Sequence, residues 1–192
     1  MRSLLLGTLA LLVSACQTAG SSSALPPEAN RLRPDHAPTP FGAEEIRAGC
    51  PEGRWNLFTM RTTGKMPVWS LSRFVRSDAE GAEFSTENVN EDGLLIGEPV
   101  RGAATWTELQ GHASFPAANT EIRRARRRVA AGDFDCWLYV FREVLDGKSL
   151  VHRFWFARSL PGSPIRVEQE EGGQLIFEME LLKTGRDEPA PR

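Results

Sequence analysis

The chain has 192 residues, with 23 lysines and arginines against 25 acids, and 41% of its residues are hydrophobic. A formal charge of −2 excludes a nucleic-acid binder that works by overall positive balance. No P-loop, GxSxG elbow, HExxH or dinucleotide fingerprint occurs, so the common enzyme classes with a local signature are not represented.

The first element is the opening stretch MRSLLLGTLALLVSACQTAGSSS. Arg2 is followed by an apolar run from Leu4 to Val13, ten residues long, where a bilayer span needs roughly 20. That is the length of a signal-peptide core, which is removed and plays no part in the fold. Val13-Ser14-Ala15-Cys16 then resembles the bacterial lipobox, an aliphatic residue and two small ones before a nucleophilic cysteine. The resemblance implies cleavage of residues 1–15, with Cys16 as the first mature residue carrying S-diacylglycerol and an N-acyl chain. Several chains hold a protein firmly to a membrane where one gives only marginal binding. Gln17, where an aspartate would favour inner-membrane retention, implies the outer membrane, facing the periplasm. The competing reading is an ordinary secreted protein with a cysteine beside its cleavage site.

Residues 16–40 contain Ser21-Ser22-Ser23, Pro26-Pro27 and prolines 34, 38 and 40, a composition that predicts a disordered tether. Residues 184–192 read as a similar polar tail. Between them, residues 41–183 suit a single domain with its own core. Removal of residues 1–15 takes away Arg2 alone and leaves a charge of about −3.

Within the domain, Glu44 to Ala48 predicts a short helix, and most of the chain beyond it alternates with the period of strands. Strands are expected over Trp55–Thr62, Val68–Val75, Glu83–Asn88, Leu94–Ile96, Phe134–Phe141, Leu150–Phe156, Ile165–Gln169 and Leu175–Leu182, with turns at Gly64, Asp146-Gly147 and Gly172-Gly173. Thr105 to His112 breaks the pattern: Thr105 is an N-cap with Glu108 three residues on, so a short helix is expected there. Residues 121–129 fit either strand or helix. The fold class is mainly β (α+β), a curved antiparallel meander or half-barrel with one or two short helices.

Cys50 and Cys136 remain once Cys16 is lipidated, and an even pair in an oxidising compartment predicts a disulfide. Closing that 86-residue separation stabilises by roughly 4–5 kcal/mol in the chain-entropy picture. Two separate buried thiols are the alternative, and a zinc site with His112 or His152 has no CxxC or HxxxH spacing behind it.

Ala131-Gly132-Asp133-Phe134-Asp135-Cys136, Arg153-Phe154-Trp155-Phe156-Ala157, Leu160-Pro161-Gly162 and Ile165-Arg166-Val167-Glu168 together resemble a recurring element of uncharacterised periplasmic proteins. These share the half-barrel of the lipoprotein-carrier (Lol) superfamily. The resemblance covers residues 131–182 and implies a strongly curved antiparallel sheet with helices in its mouth, several relatives of which hold acyl chains. Its motifs are structural and name no catalytic residue.

Arg123, Arg124, Arg126, Arg127 and Arg128 form a basic strip that suits contact with phosphates, or else a solvated face paired with Glu168, Glu170, Glu171, Glu178 and Glu180. His36, His112 and His152 read as tether or structural residues, and no metal or cofactor is expected. The chain thus reads as a non-catalytic, lipid-anchored envelope protein with acyl chains on Cys16 in the membrane. Its half-barrel binds a hydrophobic ligand or an envelope component, and it has no nucleic-acid partner. The alternatives are a structural or assembly lipoprotein that docks another envelope protein, and an enzyme of unfamiliar type.

Overall fold

The structure is a computed structural model that describes residues 25–92 and 94–187. The signal peptide, the lipobox with Cys16 and the last five residues lie outside the described residues.

Two antiparallel meanders make one sheet. The first contains β1 (Arg54–Thr62), β2 (Val68–Ser77), β3 (Gly81–Val89) and β4 (Val100–Thr105). The second contains β5 (Thr120–Val129), β6 (Gly132–Leu145), β7 (Lys148–Ala157), β8 (Arg166–Glu171) and β9 (Gln174–Arg186). The first and last strands pair, so the order across the nine-stranded sheet is β4-β3-β2-β1-β9-β8-β7-β6-β5. Every pairing is antiparallel, as expected for short turns between neighbours.

This order dictates the curvature. β4 and β5 are consecutive in the chain yet lie on opposite edges, roughly 38 Å apart if the sheet were flat. The connection contains the helix α2 (Trp106–Gly111) and eight further residues. Three of those eight, Ala117–Asn119, form a 3-10 turn, so the connection reaches about 33 Å at most and the sheet has to curl for its edges to be joined. Bulges between Leu57 and Phe58, Phe74 and Arg76, and Gln169 and Glu170 supply the bends. The connection crosses the hollow face, together with α1 (Ala43–Gly49) and the segment before it.

Each face has its own apolar cluster. Side chains alternate along β6, so Trp137 and Tyr139 join Phe156, Phe41, Ile46, Cys50, Ala82 and Trp106 beneath the helices. Cys136, Leu138 and Val140 point the other way and pack with Trp155, Ala157, Val129, Ile165 and Leu181. The second cluster is closed at one end where the amide of Ala131 donates to the carbonyl of Leu181.

The structure corrects four expectations. The tether does not run to residue 40: Asn30, Ala37, Pro38, Thr39, Pro40 and Phe41 are buried in the mouth of the sheet. The tail does not begin at 184, because β9 continues to Arg186 against Arg54. Leu94–Ile96 makes only the single bridge Val89–Leu95, since the side chain of Asn90 accepts from the amides of Asp92 and Leu94 and curls the chain; the paired strand is β4. The expected disulfide is not made: Cys50 and Cys136 are free, buried thiols on opposite faces of the sheet. Residues 121–129 are strand, and both short helices lie where they are expected, α2 at the start that Thr105 and Glu108 mark.

Candidate functional site

The helices are fixed over the sheet by side-chain caps and buried polar contacts. Thr105 Oγ1 accepts from the amide of Glu108 at 3.2 Å, and Glu108 Oε2 accepts from the amide of Thr105 at 2.7 Å. Trp106 Nε1 donates to the carbonyl of Asp78 at 3.0 Å, tying α2 to the β2–β3 turn. Gln110 joins three elements: its Oε1 accepts from the amide of Ala43, and its Nε2 donates to the carbonyl of Asn30 and to Thr39 Oγ1, each at 3.0 Å. Buried, fully paired groups of this kind hold a single arrangement.

A cavity of about 200 Å³ remains between these helices and the sheet. Ile46, Cys50, Leu109, Phe115, Phe154 and Phe156 make most of its wall, and His112, exposed at the C-cap of α2, stands at its rim. Phe115 is stacked on Phe154 at 4.9 Å and on Phe141 at 5.6 Å, which places it across the mouth of the half-barrel. The turn after β7 closes the floor. Gly162 has φ +124°, and a Cβ there would lie 2.9 Å from Cys50 Sγ, so only glycine lets the turn approach α1 so closely.

Cys50 and His112 are the titratable groups that line the cavity. Burial pushes the Cys50 thiol up to about 11, and burial with the neighbouring Asp135 pushes Cys136 up to about 12, so both are protonated at neutral pH. His152 Nε2 lies 3.0 Å from Glu143 Oε1, yet its ring is stacked beside Phe154 and Phe141 on the strand, apart from the cavity wall. His36, expected in the tether, is held by Ser114 instead. Among the described residues, no three His, Cys, Asp or Glu side chains are grouped to hold a metal ion. A larger hollow of about 350 Å³ beside β3 and β4 is open, with Arg76, Asp78, Glu80, Glu83 and Glu108 among its lining. Three of its acids are engaged: Asp78 accepts from the amides of Glu80 and Gly81, Glu83 pairs with Arg76, and Glu108 caps α2.

The arginine strip is β5, an edge strand remote from this cavity. The acids expected to pair with it mostly serve other partners. Arg166 binds Glu168, Glu178 and Glu180, Arg61 binds Glu178, Arg153 binds Glu170, and Lys148 binds Glu171. Arg127 reaches that group, at Glu168 over the ring of Trp155, while Arg128 pairs with Asp133.

At one end of the sheet, the tips of the β1–β2, β3–β4, β6–β7 and β8–β9 hairpins expose Met66, Leu94, Leu95, Ile96, Val144, Leu145 and Leu175. Sequence reasoning missed both this row and the phenylalanines of the cavity. The row is split over four hairpins, and Phe115 and the Phe154–Phe156 pair of β7 lie far apart in the chain, so no single stretch shows either set as a unit.

No protein-family model matches the chain, and no curated protein matches it. Solved structures are similar to it. A "putative lipoprotein" from Parabacteroides distasonis ATCC 8503 is 10% identical, covering 71% of this chain and 98% of that one with a TM-score of 0.49. MucB, solved in complex with MucA(peri), is 12% identical with a TM-score of 0.53, and the match covers 75% of this chain and 54% of MucB. This chain therefore corresponds to about half of MucB, and at that identity the likeness is one of fold. No helix among the described residues is long and apolar enough to cross a membrane.

Proposed function

We propose that this chain is a lipid-anchored protein of the bacterial envelope, acylated at Cys16, that docks a partner protein and catalyses no reaction. The observation that carries the docking role is the size of the cavity: about 200 Å³, walled by aliphatic and phenyl side chains. Pockets for drug-sized ligands run from about 300 to 1,000 Å³, so this one accommodates an apolar side chain or two and not an acyl chain. The row of exposed apolar hairpin tips supports the same reading, as exposed apolar surface marks sites of association. So does the fold likeness to MucB, a protein solved with another protein bound. The address rests on the signal-like opening and the lipobox-like Val13-Ser14-Ala15-Cys16, with the outer membrane favoured by Gln17.

A second reading comes from the apolar wall: a compact hydrophobic molecule as the ligand. Native mass spectrometry of the mature chain with Cys16→Ser, which carries no covalent acyl chain and is purified from a periplasm, separates the two. The docking reading expects the bare polypeptide mass. A retained adduct with the mass of a phospholipid or fatty acid would overturn it in favour of a lipid binder.

A further inference from the structure

The five arginines of β5 occupy the outermost strand, with which no second strand pairs among the described residues, although β9 approaches the strand's far end near Ala131. Strand geometry puts Arg123 and Arg127 on one face of the sheet and Arg124, Arg126 and Arg128 on the other. A flat anionic surface such as a bilayer touches one of those faces at a time. A strand lying alongside β5 meets both. Charge on an edge also discourages unwanted pairing, but the opposite edge, β4 (Val100–Thr105), has Arg101 as its single charged residue. The fold does not protect its edges that way as a rule. Internal pairing absorbs only part of the strip: Arg127 at Glu168 and Arg128 at Asp133 are engaged, whereas Arg123 has a long contact of 3.7 Å to exposed Glu121, and Arg126 is exposed.

We infer that the outer edge of β5 takes an extended, acidic segment of a partner protein as a further strand of the sheet. The segment's backbone pairs with β5, and its carboxylates meet arginines on both faces. Strand addition of this kind takes its affinity from main-chain hydrogen bonds and its selectivity from side chains, and arginine holds carboxylates in paired contacts. Ten residues of β5 offer roughly 34 Å of edge, enough for a segment of about eight to ten residues. The inference rests on the docking reading for the kind of occupant and adds its chemistry, at a place separate from the cavity.

The test uses the mature chain with Cys16→Ser and a fluorescein-labelled decapeptide, Thr-Glu-Glu-Val-Thr-Glu-Glu-Val-Thr-Glu, followed by anisotropy. Saturable binding is expected. It should weaken about tenfold or more when alternate peptide amides are N-methylated, and likewise in the Arg123→Glu, Arg126→Glu double variant. The lysine counterpart of the peptide should not bind. Equal binding of the N-methylated peptide would reduce the contact to charge alone and overturn strand addition. Absence of peptide binding, or capture by phosphatidylglycerol vesicles in its place, would overturn the inference as well. The Ala113→Phe variant, which fills the cavity and leaves β5 intact, should bind the peptide normally. Failure at the edge and failure of the cavity reading are thus told apart.

Discussion

Tyr139 donates a 2.6 Å hydrogen bond to the carbonyl of Pro38, 101 residues earlier, and is itself fully buried. That bond pins the proline-rich segment before α1 into the mouth of the half-barrel. Tyr139→Phe keeps the ring and strands a buried carbonyl, which costs about 1–3 kcal/mol. For a domain of this size each kcal/mol lowers the melting temperature by about 2–4 °C. A thermal melt reads this directly, and deletion of residues 25–40 should cost more than the point change. An unchanged melt in both would mean that the segment is a tether after all.

Arg166 and Arg128 both bind carboxylates, but their surroundings differ. The Arg166 side chain is 12% exposed and lies among Glu168, Glu178 and Glu180, while that of Arg128 is 82% exposed beside Asp133. Arg166→Ala leaves three carboxylates facing one another, and the loss should be about 3 kcal/mol, near the lower end for buried pairs. Arg128→Ala should change the stability little, as solvent and salt screen an exposed pair. Urea titrations of the two variants check the contrast.

The hydrogen bond from Arg128 holds the Asp133 carboxyl below its usual range. A lowered folded pKa stabilises above the unfolded value near 4 and loses that contribution as pH falls through the folded one. The small effect of Arg128→Ala should therefore disappear in melts run at progressively lower pH below about 4.

The two buried thiols give a pH prediction of opposite sense. Their folded pKa values, about 11 for Cys50 and about 12 for Cys136, stand above the ordinary value of 9.0. Their contribution is whole below that ordinary value and is lost as pH rises from about 9 towards 11 or 12. The native protein should not react with a thiol reagent at pH 8, and both cysteines should react once it is unfolded. Reaction of one thiol in the native state would contradict the packing around it.

Filling the cavity tests its shape. Small aromatic molecules such as indole should raise the melting temperature, and a sixteen-carbon fatty acid should not. Ala113→Phe should abolish the effect of indole at an overpacking cost of about 1–3 kcal/mol.

Much of the sheet is legible in the sequence because its signals are local. The alternation of Phe134, Cys136, Leu138 and Val140 marks β6, and the Thr105–Glu108 pair marks the start of α2. β4 escapes, since Val-Arg-Gly-Ala-Ala-Thr is built of small residues with little alternation, as an edge strand allows. Residues 28–40 mislead because proline and polar composition resembles a tether, while the contacts that bury them come from Gln110 and Tyr139, far along the chain. The cysteines mislead in another way. Alternation says that Cys136 and Trp137 face opposite sides, but only the crossing of α1 and α2 decides which side Cys50 shares. The cavity itself is assembled from α1, α2, β2, β7 and the turn at Gly162, so no stretch of sequence displays it.

The proposed docking of another protein at the mouth of the half-barrel can be probed in cells making the full chain. A photo-crosslinking amino acid is placed at His112, on the rim, and another at Lys183 on β9 as a control. Irradiation at position 112 should yield one discrete protein adduct that is absent from position 183 and is lost when Ala113→Phe closes the cavity. Crosslinks to lipid alone, or identical patterns from both positions, would contradict docking at the mouth.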